Sequence, residues 1–181
     1  MEKIQVLGIC GSLRKQSTNM GLLRYAQQHA PKGVEIRIAD LSEIPFYNSD
    51  LKEKPAAVLR FFEELKGAQA LLMACPEYNY SMAPALKNAL DWASREPENV
   101  LLTGKAAAMM GAGGGMGTAR AQYHLRQVCV FLNLHVLNTP EVFCNAFAGG
   151  FDGEGNLVDE RLQKQVVKLV DALRAWTLKL R

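Results

Sequence analysis

Five short apolar runs, at residues 4–10, 34–39, 69–75, 106–111 and 134–138, punctuate the chain, and each is followed by a stretch whose apolar residues recur at helical spacing. The helical stretches fall at about 19–30, 56–66, 84–94, 118–132 and 159–179; in the first of them Leu22, Leu23, Ala26 and Ala30 mark the buried stripe. The runs Ala70–Ala74 and Ala106–Met110 are apolar without alternation, as strands covered on both sides must be. Strands that alternate with helices predict an α/β protein: a doubly wound, five-stranded parallel sheet with right-handed crossovers and helices on both faces. Ligands of such sheets bind beyond the carboxyl ends of the strands, where the strand order reverses.

At 181 residues and 49% hydrophobic content the chain can bury such a sheet, and no Pro-, Gly- or Ser-rich stretch divides it, so residues 1–181 are expected to form one domain. The net charge of +3 is too small and too dispersed to point to nucleic acid. No apolar segment reaches the about 18 residues of a membrane span, and Met1-Glu2-Lys3 leads into a strand without a signal peptide; a soluble, cytoplasmic protein with no membrane partner is expected. Cys10, Cys75, Cys129 and Cys144 form no C-x-x-C pair and read as buried small hydrophobes. His29, His124 and His135 have no partner at ligand spacing, and Asp152-Gly-Glu-Gly-Asn156 lacks the central glycine and final glutamate of a calcium loop. No metal is expected.

Candidate chemistry gathers in three loops that follow strands. The first, Gly8-Ile-Cys-Gly-Ser-Leu-Arg-Lys-Gln-Ser-Thr-Asn19, joins the first strand to the first helix, whose amino terminus offers free N–H groups and partial positive charge to an anion. Ser12, Ser17, Thr18 and Asn19 add neutral donors and Arg14 a charged fork suited to phosphate. Helix capping would account for Ser17 or Thr18, but not for three hydroxyls and an arginine. The second loop, Pro76-Glu-Tyr-Asn-Tyr-Ser-Met-Ala-Pro84, makes a rim with flat apolar faces and main-chain polar groups, which a planar heteroaromatic ring needs. Pro84 suits a first helical turn, but that role leaves Tyr78, Asn79 and Tyr80 unexplained. The third, Gly111-Ala-Gly-Gly-Gly-Met-Gly-Thr118, holds five glycines in seven positions, as a backbone does where it approaches a ligand or turns with positive φ.

Other phosphate-binding and nucleophilic motifs are missing. Gly8 and Gly11 have no third glycine at dinucleotide spacing, and in the third loop Met116 stands in that glycine's place. Asp40 stands near the end of the second strand, as a ribose-binding acid would, yet without those glycines it reads as a turn residue. Gly104-Lys105 is followed by Ala106 rather than Ser or Thr, which excludes a P-loop. Cys10 has Gln16, not arginine, six positions on, against a tyrosine-phosphatase loop.

Gly-Ser-Leu-Arg-x-x-Ser-x-Asn at 11–19, Pro-Glu-Tyr-Asn-Tyr-Ser at 76–81, Leu-Lys-Asn-Ala-x-Asp-Trp at 86–92 and Ala-Arg-Ala-Gln-Tyr-His-Leu-Arg-Gln at 119–127 occur in that order over nearly the whole chain. In these motifs the chain resembles the NADPH-dependent FMN reductase family, and within it the quinone and chromate reductase branch. The resemblance implies a flavodoxin-like fold of strand order 2-1-3-4-5 and noncovalent FMN. It implies that Ser12, Arg14, Ser17, Thr18 and Asn19 hold the FMN phosphate, with Leu13 among the cofactor-binding residues beside them, and that Pro76, Glu77, Tyr78 and Asn79 line the isoalloxazine, with Gly111 and Gly113 contributing from the third loop. There the chain departs from its relatives, because a serine common among them is replaced near Gly113.

The chemistry such a cofactor implies needs no protein acid or base: NADPH or NADH gives a hydride to the flavin and leaves, and an electron-poor acceptor follows it by a ping-pong route. Quinones, azo compounds, chromate and free flavin are the acceptors the resemblance implies. A flavodoxin-type electron carrier and a flavin-based redox sensor are the alternatives; the sequence pI of about 8.7 speaks against the acidic carriers. The resemblance also implies a homodimer or homotetramer. Arg120, Tyr123 and Gln127 form one helix stripe, and Phe143, Phe147 and Phe151 sit in a segment, 141–155, with little local core; Arg120, Tyr123 and Glu141 are the interface candidates.

Overall fold

The computed structural model describes residues 3 to 181. Its central strands are β1 (Ile4–Cys10), β2 (Val34–Ile38), β3 (Ala70–Ala74) and β6 (Ala106–Gly113), and two short strands, β7 (His135–Val136) and β8 (Val142–Asn145), share the far edge. The order is β2-β1-β3-β6-β7, with β8 also on β6, and every pairing in this sheet is parallel. This is the expected flavodoxin-like order, and it reverses between β1 and β3.

Helices α1 (Thr18–Gln28) and α5 (Glu160–Lys179) cover one face of the sheet; α2 (Ala56–Gly67), α3 (Pro84–Ala93) and α4 (Ala119–Phe131) cover the other. Successive residues of β3 serve the two layers in turn. Leu71 and Met73 pack with Phe61, Leu65 and Leu90, while Ala70, Leu72 and Ala74 pack with Leu22, Leu23, Val166 and Leu169. That double burial is why β3 and β6 carry no polar alternation.

The edge strand departs from the expected single run at 134–138. After Ala106↔His135 and Ala107↔Val136 the chain leaves the ladder, and it returns at Met110↔Val142. Pro140 lies in the excursion; without an N–H and with φ fixed, it cannot continue a ladder. Residues 142–145, expected within a loop, are therefore strand, and Val142 and Cys144 are fully buried.

Helix α3, which carries the motif at 86–92, is tied to the long connection after β2. Asn88 Nδ2 and Trp92 Nε1 both donate to the Pro45 carbonyl, at 2.9 and 2.8 Å, and Asn88 Oδ1 accepts from the Tyr47 amide at 2.8 Å. Asn88 and Trp92 thus fasten residues 45–47 against α3. Asp40 is the turn residue expected, accepting from the Ser42 amide at 2.9 Å, and that hydrogen bond holds its carboxyl below the usual range.

Candidate flavin site

The three loops leave the carboxyl ends of β1, β3 and β6, which are neighbours in the sheet, so the topology alone brings them together. Gly11 lets the first two meet. A Cβ there would lie 2.8 Å from Pro76 Cδ and 3.0 Å from Ala83 Cβ, closer than side chains allow.

In the first loop Ser17 is the N-cap of α1, its buried hydroxyl accepting from the Met20 amide at 3.2 Å. Its capping role is therefore real, as the simpler reading held. Ser12, also buried, accepts from the Arg14 amide at 3.3 Å, and Thr18 opens the helix half-buried. Arg14 is exposed and rests Nη2 on the Gln16 carbonyl at 2.9 Å, a single contact that a phosphate could replace. Asn19 is differently employed: Nδ2 donates to the Ala112 carbonyl at 2.8 Å, and Oδ1 accepts from the Ala112 amide at 3.0 Å. Expected as a phosphate donor, its side chain instead clamps α1 to the end of β6. Leu13 is exposed and lines, with Arg14, Lys15, Asp40 and Ser42, a crevice of about 300 Å³ on the β2 side of the loop.

The second loop folds as a hairpin of β4 (Glu77–Tyr78) and β5 (Ser81–Met82). Its two turn residues, Asn79 and Tyr80, have φ of 49° and 68°. Asparagine adopts the left-handed region readily and tyrosine does not, so neighbours must hold Tyr80 there. Arg120 does so, its guanidinium stacked 3.7 Å from the Tyr80 ring centroid.

Arg120 also pairs with Glu77, Nε donating to Oε1 at 2.6 Å, and this hydrogen bond raises the arginine's pKa. Glu77 Oε2 accepts from the Ala121 amide at 3.2 Å, placing a carboxylate on the first turn of α4, where the helix dipole favours it. The Glu77 side chain is 6% exposed and turned to α4, so its backbone is the part left to face a ring. Ser81 Oγ and His124 Nδ1, 2.9 Å apart, add a second tie between hairpin and helix. Pro76 is buried at the base, while Tyr78 and Tyr80 present exposed rings.

In the third loop the glycines divide by function. Gly111 belongs to β6, and a Cβ there would lie 2.0 Å from Thr118 Oγ1; at Gly113 it would lie 2.3 Å from the Gly117 carbonyl oxygen. At both positions the space a side chain would take is filled by the chain itself, so glycine is required there for packing, and only backbone groups of Gly111 and Gly113 are left to meet a cofactor. Gly114 and Gly115 have open space at their Cα atoms. They are the glycines a ligand can approach, and the signal for choosing them is their place beyond the last sheet pairing, Gly113↔Asn145.

Burial pushes the Cys10 thiol up and raises Cys75 to about 12, which disfavours the thiolate form that a nucleophilic cysteine needs. The donor set fits FMN: hydroxyls with donor capacity, an exposed arginine and a helix amino terminus for a phosphate, exposed tyrosine faces and main-chain groups for a ring, and open glycine backbone opposite. Among the described residues no helix is long and apolar enough to cross a membrane.

Residues 4–149 match the family model of NADPH-dependent FMN reductase. An NAD(P)H-dependent FMN reductase of Pseudomonas aeruginosa is 50% identical, the alignment covering 99% of this chain and 98% of that one. An NAD(P)H:quinone oxidoreductase of Solanum tuberosum is 47% identical over 98% and 95% of the two chains. Among solved structures, the flavoenzyme NAD(P)H:(acceptor) oxidoreductase of Paracoccus denitrificans superposes with a TM-score of 0.87 at 32% identity, covering 97% of this chain and 98% of that one. Fold and sequence agree, and the chain belongs to the NADPH-dependent FMN reductase family.

Proposed function

We propose that residues 1–181 form one FMN-binding domain that oxidises NAD(P)H and reduces quinones or similar electron-poor acceptors, azo compounds, chromate and free flavin among them, by a ping-pong route. The observation that carries this reading is the first loop, where Arg14, Ser12 and Thr18 keep donor capacity beside the amino terminus of α1. These groups hold the phosphate. Main-chain groups of Pro76–Asn79 meet the polar edge of the ring, and Tyr78 and Tyr80 supply apolar faces beside it. Glu77, Arg120, Ser81 and His124 keep that hairpin in place. Bound FMN supplies the hydride and electron chemistry between donor and acceptor. The protein contributes binding and orientation, and a slot left open above the ring would accommodate several acceptors.

The active species is a homodimer or homotetramer. Tyr123, Gln127, Val130 and Phe131 leave an exposed stripe along α4, with Phe131 77% exposed, and Phe147 on the β8 side is 86% exposed. Aromatics of this kind are favoured at interfaces over bare surface. Tyr123 and Glu141 remain free to cross to a second copy, whereas Arg120 is engaged within its own chain. A cytoplasmic setting suits four cysteines that are all free and buried. Steady-state oxidation of NADPH and NADH with a small quinone tests the enzymatic reading. Sustained turnover supports it, and a single stoichiometric reduction without turnover would instead mark an electron carrier or sensor.

A further inference from the structure

Immediately beyond the last residue matched by the family model, residue 149, the chain makes a tight turn that lies against the back of the first loop. The turn locks itself. Asp152 Oδ1 accepts from the amides of Glu154 and Asn156 at 2.9 and 2.8 Å, Asn156 Nδ2 donates to Asp152 Oδ2 at 3.1 Å, and the Gly155 amide donates to the Asp152 carbonyl at 3.0 Å. Leu157, buried among α1 and α5 residues, anchors its far end.

Contact with the first loop and α1 is backbone to backbone. Gly155, at φ 77°, lies so close that a Cβ would stand 2.7 Å from the Gln16 carbonyl oxygen and 3.0 Å from the Ser17 carbonyl carbon. A Cβ on Gly21 would stand 1.8 Å from the Gly155 carbonyl oxygen. Only glycine at both positions permits this approach. Side chains close it from the outside: Arg24 Nε and Nη2 donate to Asn156 Oδ1 at 3.1 and 2.7 Å, and Gln16 Nε2 donates to Glu154 Oε1 at 3.4 Å.

We propose that the Asp152–Asn156 turn is a positioning element for the phosphate end of the flavin, holding the Gln16–Ser17 peptide so that the donors of residues 12–18 converge before the ligand arrives. The inference rests on the reading of the first loop as the phosphate cradle. An irregular loop that must order itself on binding loses affinity to that ordering, and a brace that orders it beforehand restores the affinity. Among its hydrogen bonds the turn reaches the first loop and α1 and no part of the second or third loop, so its direct contacts lie at the phosphate end.

The test is titration of apoprotein with FMN and with riboflavin, followed by quenching of flavin fluorescence, with folding checked by thermal melting. Asn156→Ala removes the Arg24 contact without changing charge, and Arg24→Lys keeps the charge while losing the two-point contact. Each is expected to weaken FMN binding by roughly 5- to 30-fold and riboflavin by less than about twofold, and the double variant is expected to be no worse than the stronger single one. Arg14→Ala serves as the control for the cradle itself. If Arg14→Ala selectively weakens FMN while Asn156→Ala and Arg24→Lys leave it unchanged, the cradle stands and the turn has no positioning role. Equal loss of FMN and riboflavin in the turn variants would also overturn the proposal, because the effect would be general support of the fold. If Arg14→Ala shows no preference between the two flavins, the cradle reading itself fails and takes the proposal with it.

Discussion

Asn19 and Ala112, 93 positions apart in sequence, are joined by two hydrogen bonds in which the asparagine amide takes the place of a neighbouring strand. The clamp fixes the first turn of α1 to the end of β6, and so sets the distance between the first and third loops. Both residues are buried, and truncation to Asn19→Ala leaves the Ala112 amide and carbonyl without partners. A loss of about 2 to 6 kcal/mol in unfolding free energy is expected, from about one to three for each of the two stranded groups. Denaturant unfolding of wild type and variant measures it.

Arg14→Ala is expected to weaken FMN binding by about 1.5 to 3 kcal/mol, the range for losing a charge-assisted hydrogen bond, with riboflavin affinity nearly unchanged. Comparison of the two flavins on apoprotein checks this, since only FMN carries the phosphate.

Glu77→Gln removes the charge that holds Arg120 and caps α4 while leaving the backbone of the second loop intact. Tyr80 then loses the ordered guanidinium that supports its positive φ. The expected outcome is weaker binding of FMN and riboflavin alike, by about 1 to 3 kcal/mol, because the hairpin serves the ring rather than the phosphate. Phosphate-selective loss in this variant would contradict the assignment of the loops.

Burial raises Cys75 and Cys129 to about 12 and Cys144 to about 11, from an ordinary thiol value of 9.0. Above that ordinary value the unfolded chain has released these protons and the native chain has not. The native state therefore binds more protons, and stability falls as pH rises from about 9 toward 11. Unfolding midpoints measured across this range are expected to drop, and Cys75→Ala is expected to flatten the slope. A thiol reagent at about pH 8 should leave the native protein unmodified and label all four cysteines once it is denatured.

Phe131→Asp, at an exposed end of α4, is expected to lower the mass seen by light scattering at micromolar concentration, since a charge buried at an apolar contact is costly. A monomer mass for active, FMN-loaded wild type would overturn the oligomeric proposal.

What the sequence makes legible follows the range of the physical signal. The apolar runs of β3 and β6 and the stripe of α1 are local patterns, and they place the sheet and the loop ends correctly. The broken edge strand is hidden because Val142–Asn145 is too short for its alternation to stand out from the loop around it. The hairpin β4–β5 is hidden for the same reason, and because its turn carries tyrosine where glycine would announce it. Glu77 reads as a cofactor contact through the family resemblance, Asn19 as a phosphate donor by residue type, and Gly111 as a cofactor contact through the resemblance again. Their partners, Arg120, Ala112 and Thr118, lie far along the chain or are reached only through the fold, and those partners claim the side chains or fill the space. Ser12 and Arg14 keep free capacity because no distant residue claims them.

The central claim is that the three loops bind FMN, and the flavin itself tests it most directly. The purified protein is expected to be yellow and, on denaturation, to release a flavin that chromatographs as FMN. Release of FAD or riboflavin as the main species, or apoprotein that fails to bind added FMN, would contradict the account.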